Sequence, residues 1–316
     1  MHDSQTLPDV TDRTDDRAAS APLPLAAGGA PGRLELKPVQ ERYLDLLKQC
    51  LTASIYPESS WRIVEAERGG DRQMKVDWRC RTKDAVRRRI VRWLDARGLS
   101  LVRRTPFDRD RRERGVDHPM FGYSMAGHRR LENVRGCLED VLVRGVPGDL
   151  LEAGAWRGGM TIWMRALLKE YGVRDRTVWV ADSFEGLPPS EGEHDGPDLS
   201  HVEHLKVGLA AVQANFERFG LLDEQVDFLP GWFRDTLPEA PVERLAILRL
   251  DGDMYESTMD TLVPLYDRVS PGGWIIVDDY FAWDGCRKAV TDFLHDRGLS
   301  PEIRRIDWTG ACWRKD

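Results

Sequence analysis

The chain has 316 residues, 31% of them charged and 41% hydrophobic, with a formal net charge of −7. That length allows a sizeable core in one large domain or two smaller ones, and the acidic balance argues against a nucleic-acid surface spread over the molecule. No apolar run approaches the roughly 20 residues of a spanning helix, and the N-terminus lacks the basic-then-apolar order of a secretory signal, so a cytoplasmic location with no membrane partner is expected. Cys50, Cys80, Cys137, Cys286 and Cys312 form no Cys-x-x-Cys pair, which speaks against a zinc site and for reduced packing residues.

Residues 1–36 are rich in Asp, Thr, Ala, Pro and Gly and poor in large apolar groups, so they read as a disordered tail. Residues 37–130 read as an N-terminal helical lid region. Within it Tyr43, Leu44, Leu46, Leu47, Leu51 and Ile55 recur at helical spacing and predict a helix from Val39 to Ile55, closed by Tyr56-Pro57. An arginine-rich insertion spans residues 57–117, where Val86, Ile90, Val91, Trp93 and Leu94 predict one helix. Interleaved Asp84, Asp95, Asp108, Asp110 and Glu113 favour a solvated helical face over a phosphate-binding one.

From residue 131 to 316 strands and helices alternate. The expected elements are helix 131–144, strand 149–153, helix 159–171, strand 177–182, helix 205–219, strand 226–229, strands 245–250 and 274–277 with a helix-length segment between them, helix 285–297, and closing strands near 302–306 and 310–314. This rhythm predicts an α/β fold with a doubly wound, mostly parallel sheet.

Five strand ends carry chemistry. Leu150 to Gly159 (LLEAGAWRGG) is a buried strand running into a glycine turn and a helix; Gly154 and Gly158 let the backbone approach a ligand, and the helix N-terminus is expected to offer free N–H groups. Asp182 ends the next strand, where a carboxylate can accept ribose hydroxyls; with Glu152 and the glycine turn it makes half of a nucleoside site. Gly231, Trp232 and Phe233 follow the third strand and offer an apolar wall for an adenine, or ordinary core aromatics. Asp251 ends Leu245 to Leu250, and Asp278-Asp279 ends Trp274 to Val277. Hard cations such as magnesium take oxygen ligands, so these three acids make a candidate Mg2+ site; otherwise they cap the following helix and turn the chain. His194, His201 and His204 sit in a polar loop without zinc-protease spacing and read as loop residues, exposed or facing substrate.

The motifs LLEAGAWRGG, VWVADSFEGLP, FLPGWFRDTLP, LRLDGDMYEST and SPGGWIIVDDY, in this order, resemble the macrocin O-methyltransferase family of antibiotic sugar O-methyltransferases, over about residues 37–56 and 117–316. The resemblance implies a class I methyltransferase (Rossmann-like) fold, S-adenosylmethionine as donor, Mg2+ as cofactor, and a deoxysugar hydroxyl of a small-molecule glycoside as acceptor; a homo-oligomer is expected. Asp251, Asp278 and Asp279 match the metal-ligating acids, and Asp251 also matches the general base. Met125, Glu152, Ala153, Gly154, Asp182, Ser183, Gly231, Trp232 and Asp251 fall on the cofactor side. Residues 57–117 match nothing in the family pattern.

Two rival classes are an NAD(P)-dependent oxidoreductase and a non-catalytic binding protein. The first needs a Gly-x-Gly-x-x-Gly turn, and this turn reads Glu-x-Gly-x-x-x-Gly. The second would make the acids incidental, and the arginine-rich insertion is its support.

Overall fold

The computed structural model describes residues 34–56, 60–63, 89–91, 93–94, 96–99, 102–117, 119, 121–190, 192, 194 and 198–316. The expected disordered tail falls outside them save for residues 34–36, as does most of the first half of the insertion.

Helix α1 (Pro38–Leu51) opens with Pro in its first turn and a Lys37 N–H donated to Gln40 Oε1 at 2.9 Å, and it buries Leu44, Leu47 and Leu51. The apolar spacing carried this helix to Ile55, yet it stops at Leu51. Ala53 adopts a left-handed φ of 52°, and the buried Arg112 donates to the carbonyls of Thr52 at 3.4 Å and Ala53 at 2.9 Å. A guanidinium from the insertion thus satisfies carbonyls just past the helix end, where orphan acceptors collect.

Strands β1 (Ser60–Ile63) and β2 (Val102–Thr105) form an antiparallel ribbon with Ser60 opposite Thr105 and Ile63 opposite Val102. This ribbon was not expected; it joins residues some forty positions apart, a pairing no local pattern announces. Residues 89–91 and 93–94 are helical, as expected. Of that helix's apolar positions Val91 is buried, but Ile90 and Trp93 are exposed. A short helix α2 (Arg109–Glu113), capped by the Asp108 carboxylate, is a further unforeseen element.

The main sheet contains β3 (Asp149–Ala153), β4 (Val178–Asp182), β5 (Val226–Pro230), β6 (Leu245–Leu250), β7 (Val269–Val277), β8 (Arg304–Arg305) and β9 (Ala311–Arg314). Its order is β5-β4-β3-β6-β7-β9-β8. The first five are parallel, and β9 pairs antiparallel with both β7 and β8. Chain direction across the sheet reverses between β3 and β6, the switch point at which open α/β sheets bind ligands.

Helices α3 (His128–Val143) and α4 (Gly159–Glu170), together with α1 and α5 (Leu209–Arg218), cover one face through a core that includes Leu131, Leu138, Ile162, Trp163 and Phe216. Beyond the ends of β5 and β6 lie α6 (Phe233–Thr236) and α7 (Tyr255–Leu265). With α8 (Asp284–Asp296), α7 covers the other face around Leu248, Leu262, Val290 and Phe293.

Several boundaries moved. Helix α5 starts at Leu209, not 205, because Gly208 leads into it and Glu203–Leu205 make a separate 3-10 turn. Strand β7 begins at Val269, five residues before Trp274, its pairing with β6 shifting register past the Gly272-Gly273 pair. The expected strand near 302–306 shrinks to Arg304–Arg305. No helix among the described residues is long and apolar enough to cross a membrane.

Candidate active site

The glycine turn after β3 touches the end of β6. Gly154 has a φ of 97°, and a Cβ built there would lie 1.9 Å from the Asp251 carbonyl oxygen, so only glycine fits. The two strand ends are held in line by Gly154 N–H to Ala181 O and Asp251 N–H to Ala153 O, both 2.8 Å. Ala153, expected on the cofactor side, is fully buried in the sheet.

Several of the N–H groups at the turn are taken. Asp182 Oδ2 accepts from Ala155 N at 2.7 Å and Trp156 N at 3.1 Å, and its Oδ1 from Phe184 N at 2.7 Å. Gly158 N–H goes to Ala155 O at 2.7 Å, and Gly159 N–H to Tyr123 O at 3.0 Å. Asp182 is therefore a clamp on the glycine turn. Burial raises its carboxyl pKa, against the lowering effect of these N–H donors. Ser183 folds locally, donating to Gly186 O at 2.7 Å and accepting from Glu185 N at 3.0 Å. Gly231 extends the β4–β5 ladder by donating to Asp182 O at 2.9 Å, and half-buried Trp232 starts α6 beside it. Phe233 turns instead toward Gly252 and the other face.

Left-handed backbone gathers here. Trp156 (φ 48°), Phe184 (φ 57°) and Asp253 (φ 58°) follow the ends of β3, β4 and β6, all in a conformation that favours glycine.

The acids come together. One carboxylate oxygen each from Asp251, Asp278 and Asp279 lie within 4.8 Å of one another. They do not cap helices: α7 begins after Met254 and α8 after Trp283, neither with a side-chain cap bond from an acid. Asp278 and Asp279 are buried, and the Asp251 side chain is 34% exposed.

Two buried arginines run through this cluster, and the sequence reading had missed both. Arg249 stands opposite Glu152 in the β3–β6 register. Its Nη1 donates to Glu152 Oε1 and to Asp251 Oδ2 at 2.8 Å, and its Nη2 to Asp278 Oδ1. Arg130, from α3, donates to Asp278 Oδ2, lies 3.1 Å from Asp307 Oδ2, and reaches Met125 O at 3.4 Å. Carboxyl and guanidinium groups thus alternate along Glu152, Arg249, Asp278, Arg130 and Asp307, from β3 to the turn before β9. Glu152, expected at a nucleoside, is instead 1% exposed with one oxygen on Arg249 and the other buried without a hydrogen-bond partner.

Carboxylates outnumber guanidiniums here, and the titration directions follow. Burial pushes Glu152 up to about 8, with Arg249 opposing. Burial, then the Asp251 charge, push Asp253 up to about 7. Burial raises Asp251, with Asp278 adding to it, and raises Asp279 well above the usual range, with Asp253 and Asp251 adding. Burial works on Asp278 too, but Arg130 and Arg249 outweigh it and hold that carboxyl low. A buried, under-compensated, all-oxygen cluster suits a hard divalent cation, and Asp279 Oδ2, buried with no hydrogen-bond partner, is an acceptor in want of one. Asp253 belongs to this cluster as well, its side chain interacting with Trp283 and Asp279.

The histidines lie apart from the acid cluster. His194 packs its ring 5.3 Å from that of Tyr255, His201 is exposed, and the His204 carbonyl accepts from Trp156 Nε1 at 2.8 Å.

A seven-stranded sheet in this order, with a glycine turn and a strand-end acid at its switch point, defines a class I S-adenosylmethionine-dependent methyltransferase. Residues 40–315 match the family described as Macrocin-O-methyltransferase (TylF), and the chain belongs to that family of O-methyltransferases. It is 50% identical over 222 residues, covering 68% of this chain and 87% of the relative, to the mycinamicin III 3''-O-methyltransferase of Micromonospora griseorubida. It is 53% identical over 212 residues, covering 66% of this chain and 81% of the relative, to the 8-demethyl-8-(2,3-dimethoxy-alpha-L-rhamnosyl)-tetracenomycin-C 4'-O-methyltransferase of Streptomyces olivaceus. Among solved structures, the O-methyltransferase NovP superposes with a TM-score of 0.70 at 39% identity, over 87% of this chain and 99% of that one. The oxidoreductase and non-catalytic alternatives fall with these findings.

Proposed function

We propose that the chain transfers the methyl group of S-adenosylmethionine to a sugar hydroxyl of an antibiotic or related glycoside, with Mg2+ held by Asp251, Asp278 and Asp279 and with Asp251 as general base. The observation that carries the reading is the gathering of three carboxylate oxygens within 4.8 Å beside the glycine turn of the cofactor strand. The acceptor class rests on the relatives, which are named for methylating mycinamicin III and a rhamnosyl tetracenomycin. When bound, the cation would polarise an acceptor hydroxyl and lower its pKa.

The chain's own residues do the rest. The Gly154 turn, clamped by Asp182, brings the donor against the end of β6; Met125, Ser183, Gly231 and Trp232 complete the cofactor side. Asp251, partly open, takes the acceptor proton, which general-base catalysis values at about 10² to 10⁴ in rate. Holding hydroxyl and methyl in line can supply roughly 7 to 11 kcal/mol, so positioning is the larger contribution. The reading extends to a cytoplasmic homo-oligomer acting on a small molecule and not on nucleic acid or membranes, with residues 57–117 part of a lid over the acceptor. The net charge of −7 supports the exclusion of nucleic acid.

Chelation tests the metal. Activity is expected to vanish on exhaustive EDTA treatment and return with Mg2+, since an all-carboxylate set offers no soft ligand. Full activity after chelation would reduce the three acids to structural residues.

A further inference from the structure

Arg249 is an odd residue in its place. It sits in a strand of six consecutive buried residues, on the same side as Glu152 and Asp251, and is itself 1% exposed. One guanidinium spans three carboxylates: Glu152 from β3, Asp251 from the end of β6, and Asp278 from the end of β7. Its planar fork makes this possible, for a lysine ammonium offers the same charge from a single point. Asp278 is gripped from both sides, Oδ1 by Arg249 and Oδ2 by Arg130, whereas Asp251 gives Arg249 only Oδ2 and Asp279 Oδ2 is without a hydrogen-bond partner.

We propose that Arg249 is a positioning residue that fixes Asp251 and Asp278 in the arrangement a divalent cation needs, with Asp278 the anchored member and Asp251 and Asp279 the members with oxygens to give. The inference rests on the metal reading above and adds a role for a residue that touches neither cofactor nor acceptor. Outer partners that orient ligating carboxylates commonly change metal affinity by about 10- to 100-fold when removed.

The alternative is that Arg249 only offsets negative charge, and the two roles predict opposite signs. A fixed positive charge beside a cation site repels the cation, so deleting a mere counter-charge would tighten binding. Deleting a positioning group loosens it.

The test is calorimetric titration of Mg2+ into the full-length protein and its Arg249→Met and Arg249→Lys variants, with cooperative thermal unfolding as the check on fold. Positioning predicts about tenfold or more weaker Mg2+ binding in both variants, because lysine keeps the charge but cannot bridge. A counter-charge role predicts tighter binding in Arg249→Met and wild-type binding in Arg249→Lys, and either result overturns the proposal. Should Arg249→Met fail to fold, Arg249→Lys alone decides between weakened and unchanged affinity; should that fail as well, Arg130→Lys, which loosens the other grip on Asp278, is expected to weaken Mg2+ similarly, and unchanged affinity there would refute the anchoring of Asp278. If the wild-type protein binds no Mg2+, the metal reading itself fails and this inference with it, an outcome distinct from wild-type binding that the variants leave intact.

Discussion

Replacing Gly154 by alanine should damage stability and catalysis together, because this position is where the cofactor turn meets the acid strand. The added Cβ would stand 1.9 Å from the Asp251 carbonyl oxygen and 2.7 Å from its carbonyl carbon, where ordinary contact begins at 3.4 Å. The two strand ends must therefore part by about 1.5 Å, and both are backbone in the middle of a sheet, so no flexible side chain can yield. Overpacking of this kind costs roughly 1–3 kcal/mol, and holding alanine at a φ of 97° roughly another 1–3 kcal/mol. Together these remove a large share of the roughly 5–15 kcal/mol that holds a typical domain. A displacement on the order of 1 Å between donor and acceptor groups can by itself cost about 10²-fold in rate. Gly145→Ala is the control, having a left-handed φ of 65° with nothing within 4 Å of the new Cβ, so it isolates the backbone cost. Urea unfolding of both variants, with single-turnover methylation on each, separates packing from backbone strain. If Gly154→Ala lost no more stability than Gly145→Ala and turned over normally, the close approach of the two strand ends would be irrelevant to function.

Three further outcomes are expected. Asp251→Asn should abolish single-turnover methylation while leaving S-adenosylhomocysteine affinity within a few-fold, and near-normal turnover would remove Asp251 from the role of base. Arg165 holds the Asp223 carboxyl below its ordinary value of 3.8, so the pair's stabilisation is full at neutral pH and fades as the pH falls through the lowered value. Asp223→Asn should accordingly cost about 1 kcal/mol at pH 7, after allowance for solvent screening, and almost nothing in strong acid; a cost independent of pH would contradict the assignment. Replacing residues 64–101 with a short Gly/Ser linker should leave the sheet and S-adenosylmethionine binding intact, because β1 and β2 already bring the ends together, while raising the acceptor KM or changing acceptor choice. Steady-state kinetics showing the same KM and selectivity would exclude this segment from the lid.

The sequence made the cofactor strand, the glycine turn and the three acids legible because each is a local event: a buried run, then glycine or aspartate at its end. Arg249 and Arg130 were not legible, since their meaning depends on partners far along the chain, Glu152 97 residues before Arg249 and Asp278 148 residues after Arg130. A signal for Arg249 did exist, a single cation inside the apolar run Leu245 to Leu250 and two residues before Asp251, hence on the same face. Which N–H groups of the glycine turn are already engaged was not legible for a related reason, as their acceptors, Asp182 and the Tyr123 carbonyl, come from other elements. The ribbon β1–β2 escaped because non-local antiparallel pairing leaves no periodicity of its own in so polar and basic a stretch.

Asp253 marks where thermal robustness and turnover would pull in opposite directions. It holds a left-handed backbone conformation that glycine adopts freely and that costs other residues about 1–2 kcal/mol. Trp156 and Phe184 share that conformation, but the indole donates to the His204 carbonyl and the phenyl ring is buried in the core, so glycine there would lose more than it relieved. An engineer seeking only a hardier protein would start with glycine at Asp253, and the same change would strip a carboxylate from the acid cluster. A library selected for heat resistance alone should therefore drift toward glycine at this one position, whereas one selected for activity should keep the carboxylate and find its stability elsewhere in the fold.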